Sequence, residues 1–321
     1  MIHQVVQRLS SDLQTKVTIE EVQLRPFSKL ELKGFLLQDQ QRDTLLFAGS
    51  LMVSLNDWFF LKDHIILHQV SLSDAVVQLH RKDSLWNYAF LTKYLLGSSG
   101  SSKNQLALKL EKINLENIHV TEKDGWRGED REYQVKELSL AADVFDLSNK
   151  TIHIHQLGLR EPYFGITEYT GQRPDSLRPK YLPFQGINNP EHLRWNPDRW
   201  KITIDELTLD EGRFRTTDRD RPVPYPFFDG YNIDFRHINA RINTVKLDQD
   251  SITAKIVLQT RERSGLEIEQ LSTRIHFFPE AMEFDQLDLK TPLSRLQDHF
   301  ALRFTSFDDL GYFNSKVLME G

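Results

Sequence analysis

The sequence predicts a mainly β fold: an elongated repeat sheet rolled into an open hydrophobic groove, with a short N-terminal helical cap and one inserted helix. Three observations lead there. The first is the stretch 202–214, whose apolar positions are Ile202, Ile204, Leu207, Leu209 and Phe214, with Gly212 where another would fall. At 100° per residue these positions scatter around a helix. As a strand each pair alternates correctly, but the phase slips by one residue between pairs. An extra residue at each slip is what a β-bulge supplies, and bulges bend a strand. A tight turn between short strands is the alternative, although Asp210-Glu211 is poor hairpin chemistry.

The second observation is that the pattern recurs. Ile65, Leu67, Val70, Leu72, Ala75 and Val77 have this spacing, as do Leu108, Leu110, Ile113, Leu115, Ile118 and Val120. Ile152, Ile154, Leu157, Leu159, Pro162 and Phe164 repeat it, and Met282, Phe284, Leu287, Leu289 and Pro292 follow more loosely. The third is a fixed offset. Leu51 precedes Ile65, Leu138 precedes Ile152 and Ile238 precedes Ile252, each by fourteen residues, and each opens a further strand-like piece. Two strands in a unit of about 43 residues fit the periods of repeat architectures. An ordinary β-sandwich with strands alike by chance is the plainer alternative.

Composition bounds the function. The apolar fraction of 39% suits sheets with one greasy and one wet face. A net charge of -6 lacks the basic excess of nucleic-acid binders. Cysteine is absent, which removes disulfides, thiol nucleophiles and cysteine metal sites. No run of eighteen apolar residues is present, as a membrane-spanning helix would need, and Met1 leads into a polar segment rather than a signal peptide.

In chain order, Ile2, Val5, Val6, Leu9 and Leu13 repeat at helical spacing, so residues 1–16 read as the cap helix. Residues 17–166 form the first part of the groove array. Within it Asp83-Ser84 offers an N-cap to an aromatic helix at about 84–96, read as a core helix on the sheet face or as a plug. Residues 97–102 are a linker by composition. Residues 167–200 are a proline-rich excursion off the sheet, and a second lapse follows at 221–226. Residues 201–321 form the second part of the array, which reads as truncated at its C-terminus.

Candidate chemistry is thin. His153 and His155 share a strand face, yet no third ligand is recognisable and both fall on the polar side, so they read as solvent-exposed rather than as a metal site. Glu267 and Glu269 are paired on an open face, which does not separate carboxylate pKa values. Ser264-Gly265 lacks a nucleophile elbow, and residues 128–132 are a charged loop without phosphate-loop spacing. No catalytic residue, metal site or cofactor is expected.

Several stretches resemble the amino-terminal part of the TamB family, within the AsmA-like, bridge-like lipid transfer superfamily, in its Bacteroidetes form. They are Lys16-Val-Thr-Ile-Glu-Glu-Val22 with Leu30-Glu-Leu-Lys-Gly34, Asp43-Thr-Leu-Leu46, and Leu51-Met-Val-Ser-Leu55. Later come Phe235-Arg-His-Ile-Asn-Ala240, Glu262-Arg-Ser-Gly-Leu266 and Leu289-Lys-Thr-Pro-Leu-Ser294, in the family's order. The resemblance implies a β-taco groove in the periplasm, held to the inner membrane by an N-terminal anchor absent here. It implies a role in outer-membrane biogenesis, as part of a translocation and assembly module, with a BamA/TamA-type barrel reached through a missing C-terminal part.

The expected function is a non-enzymatic conduit for phospholipid or another acyl-chain lipid, with no nucleic-acid partner. The predicted lining is Ile65, Leu67, Val70, Leu72, Leu108, Leu110, Ile113, Leu115, Ile152, Ile154, Leu157, Leu159, Ile202, Ile204, Leu207, Leu209, Phe284, Leu287 and Leu289. Leu207 and Leu209 should face the groove, with Thr208 and Asp210 in water. Roughly a dozen strands at ~4.8 Å would make a groove on the order of 60 Å long. The alternatives are a scaffold or chaperone that binds client β-strands by augmentation, and an enzyme.

Overall fold

A computed structural model describes residues 7, 10–11, 13–26, 29–55, 65–91, 106–146, 149–177, 195–221, 224–305, 309 and 317–321. For residues 55, 65–67 and 106–110 the backbone alone is described. The protein is mainly β, with a large sheet. Its strands are β1 (Val17–Thr18), β2 (Glu21–Arg25), β3 (Lys29–Gln38), β4 (Thr44–Leu55), β5 (Ile65–Arg81), β6 (Leu106–Asp124), β7 (Glu129–Asp146) and β8 (Thr151–Arg160). They continue as β9 (Tyr163–Glu168), β10 (Lys201–Asp218), β11 (Asp234–Asp248), β12 (Ser251–Glu262), β13 (Glu267–Phe278), β14 (Ala281–Lys290), β15 (Arg295–Arg303) and β16 (Leu318–Glu320). The strand order is β1-β3-β4-β5-β6-β7-β8-β10 and then β11 to β16 in sequence, with β2 on β3 and β9 paired to β7 and β10.

Two compact units emerge. The first is Met1–Ser139, Arg160–Arg178 and Arg213–Asp234; the second is Leu140–Leu159, Pro179–Gly212 and Phe235–Gly321.

In the first unit β3, β4 and β5 pair antiparallel, while β5 and β6 run parallel. Val70 lies beside Ile113 and Ala75 beside Ile118, a 43-residue offset. Parallel neighbours need a crossover, and residues 82–105 supply it. Of the helix expected at about 84–96, residues 89–91 are described and helical, and 92–96 lie outside the described residues. Asp83 Oδ1 accepts from Leu85 N at 2.8 Å in a local turn, but residues 84–88 are not helical, so Asp83 does not cap the helix as expected. Of the expected cap helix, Gln7, Ser10, Ser11 and Leu13 are described and helical; residues 1–6, 8–9 and 12 lie outside. Leu13 is buried with Val17, Leu37 and Leu45, and Tyr88, Phe90 and Leu91 pack on the same cluster. In the second unit β11 to β15 form an antiparallel meander.

At five of the phase slips the inserted residue is left-handed, whereas the slips after Leu67, Leu110, Ile154 and Ile204 carry no positive φ. Asp74, Asn117, Glu161, Glu211 and Gln286 all have φ between 48 and 54°. Each immediately precedes the pair that restarts the alternation: Ala75, Ile118, Pro162, Gly212 and Leu287. Left-handed φ adds the residue that returns the apolar side chains to their face. The stretch 202–214 is therefore one strand, β10, bulged at Glu211, and the turn alternative does not hold.

Residues 128–132 are not a charged loop. The turn ends at Gly128, and Glu129 to Glu132 pair with Glu168 to Gly165 of β9, whose edge recruits them into β7.

Candidate functional site

Cross-strand register assembles the predicted lining into a face. Side chains directly opposite on neighbouring strands point to the same side. In the first unit Leu30, Val53, Val70 and Ile113 form one row, and Leu32, Leu51, Leu72 and Leu115 form the next. Beyond the bulge row of Gly34, Gly49, Asp74 and Asn117 come Phe35, Ala48, Ala75 and Ile118, then Leu37, Leu46, Val77 and Val120. Four apolar rows thus cross four strands.

The second unit repeats this. Ala240, Leu258, Leu271, Leu289 and Leu296 form a row, and so do Leu247, Ile252, Phe277, Met282, Leu302 and Met319. Between them lie Ala254, Ile275, Phe284 and Phe300, with the Phe284 ring 5.5 Å from Phe277 and 6.1 Å from Phe300.

Most of these side chains are only half-buried. That holds for Val70, Leu72, Ile113, Leu115, Ile152, Leu157, Leu159, Ile202, Ile204, Leu207, Leu209, Phe284 and Leu289. Ile154 and Leu287 are buried. The side chains of Ile65, Leu67, Leu108 and Leu110 lie outside the described residues. Asp210 is exposed as expected, whereas Thr208 is half-buried. The fully buried apolar set includes six alanines, Ala48, Ala75, Ala142, Ala254, Ala281 and Ala301, which neighbouring strands alone can cover.

The opposite face is mixed: it carries an apolar row of Leu36, Phe47 and Val76 in the first unit and charged pairs elsewhere, and His153 and His155 belong to it. The absence of a third ligand does not hold. His153 Nε2 and His155 Nδ1 each lie 3.1 Å from Asp205 on β10, and His153 Nδ1 lies 3.5 Å from Asp143 on β7. These hydrogen bonds hold the Asp205 carboxyl below the usual carboxylate range. The other described histidines likewise face carboxylates, for example His237 with Glu211 at 2.6 Å and His299 with Asp285 at 2.8 Å. Solvent exposure makes these pairs a satisfied surface rather than a catalytic set.

Sequence reasoning missed one feature. Residues 125–128 and 169–173 interlock: Tyr169 N donates to Gly128 O at 2.8 Å, Gln172 N to Gly125 O at 3.0 Å and Arg173 N to Trp126 O at 2.8 Å. A Cβ at Gly171 would collide with the backbone of Arg127 and Gly128, so only glycine fits. The interlock forms a cleft of about 380 Å³ lined by Arg127, Glu168, Tyr169, Thr170, Gly171, Arg173, Asp218 and Asp220. Burial and the charges of Glu129 and Asp218, its neighbours across β7 and β10, push the Glu168 carboxyl up. Burial and a 2.7 Å bond donated to Asp130 push the Tyr169 phenol up to about 12. Asp218 and Asp220 are engaged: Asp218 Oδ1 accepts from Asp220 N at 2.9 Å, and Asp220 Oδ2 accepts from Thr170 Oγ1 at 2.9 Å.

Asp39, Asp43 and His80 bring three donor atoms within 4.8 Å of one another. Asp39 is already committed, however. It accepts from Gln41 N and Asp43 N at 2.8 and 2.9 Å and from Asn87 Nδ2 at 3.1 Å. The geometry is that of a turn organiser.

Comparison with known proteins adds no identity. No protein-family model matches this chain, and no curated protein matches it.

Proposed function

We propose that each of these apolar faces lines an open hydrophobic groove that carries lipid acyl chains. In this reading the chain is a periplasmic, non-enzymatic segment of a TamB-like outer-membrane biogenesis protein, with Leu13 and its helical neighbours closing one end. The observation that supports it is the run of apolar rows in which the larger side chains mostly stay half-buried, although Leu37, Ile118 and Ile275 are buried. In a sandwich a second layer would bury such rows. A broad uncovered apolar face marks a place for apolar ligands. The test is lipid mass spectrometry on the purified protein. Leu271→Asp, between Leu258 and Leu289, should lose co-purified lipid while keeping its strand signal. Gln270→Asp, exposed beside Lys290, should keep both. Equal lipid in both variants, or unfolding of Leu271→Asp alone, counts against a groove.

One observation favours the scaffold reading. Among the described residues β15 pairs on its outer side only at residues 301–303, against β16, which leaves an open edge over 295–300. Binding of strand peptides to a lipid-free protein would support that function instead.

A further inference from the structure

Four aromatic rings are displayed on one loop of the first unit. Tyr225, Phe227, Phe228 and Tyr231 are 53%, 63%, 49% and 43% exposed. Such rings are ordinarily among the more buried side chains. The loop is nevertheless built. Buried Asp229 accepts from Tyr225 N at 3.2 Å, Tyr231 N at 3.1 Å and Asn232 Nδ2 at 3.0 Å. Tyr225 and Phe227 stack at 5.1 Å with 6° between planes, and the Arg221 guanidinium sits 3.9 Å over the Tyr231 ring. The polar ties of the loop point inward and its rings outward.

The loop is rooted on the cleft. Asn232 Oδ1 accepts from Asp218 N at 3.4 Å, and Ile233 N donates to Thr216 Oγ1 at 3.1 Å. Two side chains in that cleft, the Arg173 guanidinium and the Glu168 carboxylate, stand without an ion-pair partner among the described residues, and a second guanidinium, that of Arg127, adds positive charge although it also acts on Asp124. Arg173 Nε is buried with no hydrogen-bond partner. Two cations and one uncommitted carboxylate suit a phosphate ester that carries an amine. Aromatic rings beside such a site suit the boundary between water and hydrocarbon.

We propose that this loop and cleft dock on a lipid bilayer surface, the rings entering at headgroup depth and the cleft taking a zwitterionic phosphate headgroup. Charge decides the headgroup class. Asp218 and Asp220 also line the cleft, so a purely anionic surface is opposed, while phosphoethanolamine finds both signs. Size decides against a protein partner. A stable protein interface needs at least ~1,000 Å² in total, more than four rings on one short loop offer, whereas interfacial anchoring needs only a few inserted side chains. The proposal extends the lipid reading by naming a headgroup and a point of contact.

Vesicle flotation with the 321-residue chain tests it. The protein should float with phosphatidylcholine vesicles that contain phosphatidylethanolamine. Phe227→Ser with Phe228→Ser should cut the bound fraction on the order of tenfold or more, and both positions are exposed enough to keep the fold. Arg173→Gln should remove the preference for phosphatidylethanolamine and leave weaker binding through the rings. A wild-type chain that stays at the bottom with every vesicle overturns the proposal, as does a serine variant that floats like wild type. If soluble O-phosphoethanolamine fills the cleft while vesicles fail to bind, the site serves a free phosphate ester and the bilayer proposal falls. Co-purified lipid without flotation would leave the groove standing and remove this docking site.

Discussion

Asn117 Nδ2 donates to Asp74 Oδ1 at 2.9 Å, and both residues have φ of 52°. They sit side by side on parallel strands, 43 residues apart. Gly34 on β3 and Gly49 on β4 continue the same row, with Gly34 at φ 59°. One line of bulged or glycine positions therefore crosses four strands between two apolar rows. Asparagine and aspartate tolerate left-handed φ better than other side chains and can bond locally, which accounts for their use here.

Asn117→Val should be costly. A β-branched residue at positive φ costs about 1–2 kcal/mol or more, and the bond to Asp74 is lost as well. Asn117→Gly should cost far less, because glycine takes this conformation freely. Urea denaturation of both variants checks the difference. Equal losses would mean that backbone strain is not what the bulge imposes.

Gly171→Ala should destabilise the first unit by on the order of 2 kcal/mol, as overpacking against backbone does. The atoms in the way belong to the main chain of Arg127 and Gly128 and cannot rotate aside. Thermal melting would show a lowered midpoint. Gly230→Ala, whose Cβ would meet nothing within 4 Å, serves as the control.

Glu168→Gln should raise the melting temperature at pH 7–8. Burial and the neighbouring Glu129 and Asp218 charges raise the folded-state pKa of Glu168, so its ionised form opposes folding. That opposition is complete above the folded pKa and fades as pH falls towards the unfolded value of ~4.3. The advantage of the glutamine should vanish below about pH 4. Melting curves across this range decide it, and an advantage that persists in acid would contradict the assignment.

Asp205→Asn should show the opposite profile. The hydrogen bonds from His153 and His155 lower the folded pKa of Asp205, so its contribution is present above the unfolded value of ~3.9 and lost as pH falls through the folded one. The variant should be less stable than wild type at pH 6 and equal to it near pH 2. Urea midpoints at the two pH values provide the check.

The strands, the 43-residue spacing and the bulge positions were legible in the sequence. A strand that keeps one face apolar must show its bulge as a one-residue slip, so Leu72 before Ala75 and Leu115 before Ile118 already mark Asp74 and Asn117. The fourteen-residue offsets mark where strands begin but not their register, since Leu51 pairs with Leu72 rather than Ile65 and Ile252 with Leu247 rather than Ile238. Local alternation encodes all of this, because side-chain direction along a strand depends only on parity. The partners of each strand do not follow from parity. Asp205 meets His153 and His155 because β10, rather than β9, lies next to β8. Arg127, Glu168, Arg173 and Asp218 meet because β9 pairs antiparallel with β7 and parallel with β10, bringing three distant turns to one cleft. Pairing of this kind is fixed by long-range closure and by which edge remains free, and only the folded chain decides it.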